Sequence, residues 1–200
     1  EVMDGAPILD VEHRAEEALS DTPVVLIVGP RRAGKTTLVP LSLLDEPWLG
    51  DGRILVLEPR RLAARAAARR MSDLRGEALG QTVGLTTRLD RAVSDATRIE
   101  VVTEGLLVRR LQSDPGLEGV AAVLFDEAHE RHLDTDLGLA LCLDLQRALR
   151  PELRLVAMSA TLDAAGFATL LGEEGRPAPV IESAGRMFPV EIRHRPRDLA

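Results

Sequence analysis

Val24-Val25-Leu26-Ile27-Val28-Gly29-Pro30-Arg31-Arg32-Ala33-Gly34-Lys35-Thr36-Thr37 is the stretch around which the remaining sequence can be read. Five apolar, mostly β-branched residues running into Gly29 predict a buried strand, and the Gly- and Pro-containing turn after it delivers the chain into a helix near Lys35. The spacing Gly-x-x-x-x-Gly-Lys-Thr is that of a phosphate-binding loop, in the strand, loop and helix context such a loop requires. Backbone N–H groups of the loop and of the helix N-terminus converge on an anion, and the helix dipole adds favourable potential. The candidate nucleotide-binding residues are Gly29, Arg31, Arg32, Ala33, Gly34, Lys35, Thr36 and Thr37. Lys35 is suited to neutralise the β- and γ-phosphates, and the Thr36 hydroxyl to hold Mg²⁺.

The sequence holds 25 Lys plus Arg, and every one is Arg except Lys35. An ammonium on a flexible stem works as a point charge among phosphate oxygens, where a forked, planar guanidinium does not fit the same loop. A chance match of the pattern in an ordinary turn leaves that single exception unexplained.

With 200 residues, 45% hydrophobic and 28% charged, the composition predicts one substantial core and is too short for two large domains. The lone Cys142 lies in an apolar helical stretch, which predicts a buried thiol, allows no disulfide framework and fits a reducing cytoplasm. No run approaches the length of a membrane span and Glu1 opens no secretory pattern, so no membrane partner is expected. The net charge of −7 argues against a polyanion partner, but residues 53–98 hold ten Arg against five acids. That segment is a candidate nucleic-acid surface, although a solvated helix face accounts for its charge equally well.

In chain order, the patterns predict a short packing helix over 10–19 capped by Asp10, and a helix over 36–44 despite Pro40. Strands are expected over 53–57, 82–86, 98–102, 120–125, 153–158 and 179–182, with an exposed loop at 90–95. Helices are expected over 62–75, 106–112, 134–150 and 163–171. Residues 1–22 read as a lead-in, 23–184 as the folded domain and 185–200 as a Pro-punctuated linker. Buried strands alternating with helices imply an α/β fold: a mostly parallel, doubly wound sheet with helices on both faces, in three layers. Ligands bind such sheets outside the carboxyl ends of the strands. Each polar motif falls there: 29–36, 59–61, 103–105, 126–129 and 159–161.

Asp126-Glu127, directly after the apolar run 121–125, supplies the second half of a phosphoryl-transfer site. A carboxylate at the strand tip reaches Mg²⁺, which suits Asp126, and Glu127 can accept a proton from the attacking water. Lys35, Asp126, Glu127 and His129 are the candidate catalytic set, with Thr36 and Asp126 the candidate metal ligands. His129 is expected to relay between the hydrolytic site and the hydroxyls of Ser159 and Thr161.

Taken together, Gly29 to Thr36, Pro59-Arg60-Arg61, Thr103-Glu104-Gly105, Asp126-Glu127-Ala128-His129-Glu130-Arg131 and Ser159-Ala160-Thr161 resemble, in order and spacing, the first-lobe motifs of superfamily 2 DEAH-box helicases. The fuller strings at 57–65, 134–140 and 188–191 are similar to the bacterial HrpB-type subgroup. The resemblance implies a RecA-like P-loop lobe of an ATP- or NTP-dependent RNA helicase. It places Pro59, Arg60, Arg61, Thr103, Glu104 and Gly105 against the backbone of single-stranded RNA, or of DNA. It implies coupling by Ser159, Ala160 and Thr161, and stacking of Arg70 on the nucleotide base, a role for which neighbouring Arg69 competes.

Two departures stand out. Arg32 occupies a position where these helicases usually have Gly, which costs on the order of 1–2 kcal/mol if the backbone is left-handed there. The chain also has no Tyr, so Leu85 stands where the HrpB-like pattern has one, and stacking of bases on Tyr is not on offer. Family members hydrolyse ATP between two RecA-like lobes, and nothing after Thr161 encodes the second. The chain is therefore expected to be one lobe of a longer enzyme, inactive in unwinding and turnover by itself. A DNA-directed translocase and a nucleotide-binding scaffold without turnover are the rival readings; the intact Thr36 and Glu127 argue against the scaffold.

Overall fold

The computed structural model describes residues 7–30, 34–160, 164–173 and 175–183. Its strands are β1 (Val24–Val28), β2 (Arg53–Leu57), β3 (Val83–Thr86), β4 (Arg91–Ala92), β5 (Ile99–Val102), β6 (Val120–Phe125), β7 (Arg154–Ser159) and β8 (Val180–Glu182). The α-helices are α1 (Pro7–Asp21), α2 (Lys35–Ser42), α3 (Arg61–Arg75), α4 (Glu104–Ser113), α5 (Leu133–Ala148) and α6 (Ala164–Leu171). The strands form one sheet in the order β4-β3-β5-β2-β6-β7-β1-β8, and among the described residues only the β3–β4 pairing is antiparallel. This is the doubly wound α/β architecture expected from the sequence.

Alternation along the strands explains the three layers. Val24, Leu26 and Val28 of β1 join Leu55 and Leu57, Val123 and Phe125, and Leu155 and Ala157 on one face. Val25 and Ile27 join Ile54 and Val56, Ala122 and Leu124, and Val156 and Met158 on the other. The first face is covered by α4, α5 and α6 through residues such as Leu107, Leu139, Cys142 and Leu171. The second is covered by α1, α2 and α3 through Val11, Leu19, Val39, Ala64 and Met71. A strand buried on both sides must be apolar throughout, and this is why β1 reads as an uninterrupted hydrophobic run.

Two local expectations need correction. The first helix already includes Pro7, so Asp10 lies inside it rather than at its cap. The loop expected at 90–95 contains β4, where Leu85 pairs with Ala92 and Thr86 with Arg91. Gly84 makes that hairpin possible: a Cβ on it would lie 2.7 Å from the Val93 side chain and 2.9 Å from the Ala92 carbonyl. The linker expected over 185–200 lies outside the described residues. No helix among the described residues is long and apolar enough to cross a membrane.

Candidate nucleotide and nucleic-acid site

Parallel register brings the motifs to one edge. Leu57 pairs with Phe125 and with Val102, so Glu58, Asp126 and Thr103 leave the sheet side by side. Val28 pairs with Ser159, and the Gly29 N–H donates to the Ser159 carbonyl at 3.0 Å. Residues far apart in sequence thus meet at the carboxyl ends of the strands.

Gly34 adopts φ 82°, the left-handed region that glycine enters without a Cβ clash, and so turns the chain into α2. Thr37 closes the first turn, its N–H donating to the Gly34 carbonyl at 3.0 Å. Lys35, the first residue of α2, is buried at 7% exposure, and its Nζ donates to the carbonyls of Gly29 at 2.6 Å and Pro30 at 2.9 Å. Burial lowers its pKa from the ordinary lysine value, against an upward pull from Asp126 and Glu127. Arg31, Arg32 and Ala33 lie outside the described residues.

The Thr36 hydroxyl donates directly to Asp126 Oδ2, joining two residues 90 positions apart. Asp126 is 3% exposed, and its Oδ1 accepts the Glu127 N–H at 2.9 Å. A hydroxyl and a carboxylate converging in a largely buried corner are hard oxygen donors, the set a magnesium ion prefers. The donors present therefore fit such an ion.

After Asp126 the backbone kinks sharply. Glu127 and Arg131 both take left-handed φ, 52° and 53°, on either side of a 3₁₀ turn at Ala128–Glu130. For residues with a Cβ this is strained, and such strain concentrates at functional sites. The turn brings His129 Nε2 to 3.2 Å from Glu127 Oε2, while Nδ1 accepts the Ala160 N–H at 3.1 Å. A ring nitrogen that accepts leaves the proton of the neutral imidazole on Nε2, facing Glu127. The imidazole thus accepts a main-chain amide just beyond the end of β7. Thr161 lies outside the described residues.

Three features stay invisible to motif reading. Glu58 is 2% exposed, beside Asp126. Burial and then Asp126 push its carboxyl up to about 7, against the opposing contacts of Arg60. Glu130 and Arg60 meet at 3.2 Å. The only local signal for Glu58 is a carboxylate set directly against a buried strand.

The nucleic-acid candidates line the next stretch of the edge. Pro59 and Arg60 link β2 to α3, with Arg60 extended at the N-cap, and Arg61 begins the helix exposed. Thr103 caps α4, its carbonyl accepting the Leu106 N–H at 3.0 Å. Glu104 Oε2 accepts the Thr135 hydroxyl at 2.8 Å, tying α4 to α5, and Gly105 is exposed beside them. Arg69 and Arg70 are both exposed on α3.

Residues 12–168 match the family described as DEAD/DEAH box helicase. The chain is 48% identical to the ATP-dependent RNA helicase HrpB of Escherichia coli, over 97% of its own length and 23% of the relative's. It is 36% identical to the human probable ATP-dependent RNA helicase DHX35, over 93% of the chain and 28% of that protein. It therefore spans about a quarter of the length of these curated relatives. The crystal structure of the E. coli DEAH/RHA helicase HrpB superposes with a TM-score of 0.85 at 48% identity, covering 94% of this chain and 23% of that one.

Proposed function

The chain belongs to the DEAD/DEAH box helicase family, and from that premise we propose that it is the first RecA-like lobe of an ATP-dependent RNA helicase. The observation that carries the proposal is the contact between Thr36 on α2 and Asp126 beyond β6, with the Lys35 ammonium in the adjoining loop. These groups arise in two distant motifs and have no reason to converge in a protein that handles no phosphate.

In this reading Gly29, Arg31 to Gly34 and Thr37 cradle the phosphates with backbone N–H groups, and Lys35 exchanges its carbonyl partners for phosphate oxygens. Thr36 and Asp126 hold Mg²⁺, which when bound neutralises developing charge on the phosphates. Glu127 accepts the proton of the attacking water, with His129 Nε2–H fixing its orientation. Arg70 stacks on the base. Pro59, Arg60, Arg61, Thr103, Glu104 and Gly105 hold the backbone of a single strand, and Ser159, Ala160 and Thr161 pass the state of the nucleotide to that strand through His129. Residues 23–184 form the lobe and 185–200 lead toward a second one, which completes the hydrolytic site.

Calorimetric titration of Mg²⁺·ADP into this chain tests the cradle. Binding by the wild type that Lys35→Ala abolishes is the expected result; no difference between the two sinks the proposal. RNA is the substrate class carried by the relatives' activity, and stronger stimulation of the longer protein's ATP turnover by single-stranded DNA than by RNA moves the reading to a DNA translocase.

A further inference from the structure

Arg60 is expected to hold a nucleic-acid phosphate, yet every nitrogen of its guanidinium already faces a different carboxylate. Nε lies 3.4 Å from Glu58 Oε1, Nη1 3.2 Å from Glu130 Oε1 and Nη2 3.5 Å from Glu127 Oε1. The Arg60 backbone N–H also donates to Glu58 Oε1, at 3.1 Å, which fixes the root of the side chain. Lost hydration alone would lower the pKa of this group, and the three carboxylates outweigh it and hold the guanidinium above its ordinary value. The partners differ in access: the Arg60 side chain is 46% exposed, Glu127 14% and Glu130 18%. A phosphate arriving from solvent can reach the cation and not the acids behind it.

Resting on the helicase reading, we infer that Arg60 is a coupling latch, restraining the general base Glu127 until a phosphate of the RNA backbone competes for its guanidinium. The physical steps are short. A guanidinium 3.5 Å from a carboxylate oxygen of Glu127 occupies the side of that oxygen that a water would otherwise meet. The forked guanidinium binds a phosphate through paired N–H groups, and the edge it would give to RNA is the one that now faces Glu127 and Glu130. RNA binding and base activity are thereby linked through one side chain, with no movement of the sheet. Linkage makes the effect reciprocal: whatever loosens Arg60 from the acids also strengthens its hold on RNA.

The experiment measures ATP turnover of the longer protein carrying this chain and a second lobe, with and without a single-stranded RNA homopolymer. Wild type, Arg60→Ala and Glu130→Gln are compared. Arg60→Ala is expected to raise RNA-free turnover by about fivefold or more, the lower end of typical coupling, and to lose most of the stimulation by RNA. Glu130→Gln keeps the RNA-binding side chain, so it is expected to raise RNA-free turnover and to lower the RNA concentration giving half-maximal stimulation. A plain RNA ligand at position 60 predicts neither rise in RNA-free turnover. A folded Arg60→Ala protein with RNA-free turnover no higher than wild type overturns the latch, and so does Glu130→Gln with both quantities unchanged. If Arg60→Ala does not fold, Glu130→Gln decides alone. A wild type whose turnover ignores RNA refutes the RNA-helicase reading itself, a result distinct from a stimulated wild type with two unresponsive variants.

Discussion

Replacing Glu58 by Gln should change how stability depends on pH, with a sign and size that follow from where the carboxyl sits. In the fold its pKa is raised from an ordinary 4.5 to about 7, first by burial and then by Asp126. Below the lower value the group is neutral whether the chain is folded or not. Between the two values the unfolded chain gives up the proton and the fold keeps it, so stability falls as pH rises, by about 1.4 kcal/mol per unit. The contribution of Glu58 is thus fully present at acid pH and lost as pH passes through about 7, a total of about 3 kcal/mol. An amide has no proton to lose, so the difference in stability between Glu58→Gln and wild type should shift in the variant's favour by about 3 kcal/mol across that window. Urea unfolding of both chains at a series of pH values measures it. Curves that stay parallel would refute the reasoning, because they require a carboxyl that titrates equally in both states. Repeating the series with Asp126→Asn should shrink the shift without removing it, since burial is the larger cause.

Other consequences are simpler. Gly34→Ala places a Cβ where φ is 82°, at a cost of about 1–2 kcal/mol, and should weaken Mg²⁺·ADP binding by about tenfold in a calorimetric titration if that strain is borne by the phosphate-bound loop. Phe125→Ala removes the largest fully buried side chain among the described residues and should cost about 3–5 kcal/mol in denaturant unfolding. His129→Ala removes the acceptor of the Ala160 N–H and the partner of Glu127. With the general base no longer held in place, RNA-stimulated turnover of the two-lobed protein should drop about tenfold or more, with RNA binding retained in a filter assay.

Much of this architecture was legible locally. Residues 53–57 and 120–125 were expected as strands and are strands to the residue, because buried parallel strands are apolar on both faces and end abruptly in charge. The antiparallel pair was not legible: Arg91 and Ala92 carry no strand pattern, and only the approach of β3, permitted by Gly84, gives them partners. The same limit applies to the candidate site. The phosphate loop and the Asp126-Glu127 pair announce themselves through spacing. The environment of Glu58 depends on which strand lies beside β2, and strand order is a long-range property that no local window contains.

That dependence has a physical consequence at the sheet edge. Because β2 lies between β5 and β6, the residue after Leu57 must sit beside both Thr103 and Asp126, whatever its identity. A small apolar residue there would leave the nucleotide corner and the strand-binding loop in contact only through backbone. A carboxyl able to meet Asp126 on one side and the Arg60 N–H on the other makes the contact electrostatic instead. Charge drawn to Asp126 by a cation, or drawn from Arg60 by a phosphate, then alters the same group. Register alone places that group between the two candidate sites, so a signal passed through it would follow from strand order and need no domain motion within the lobe.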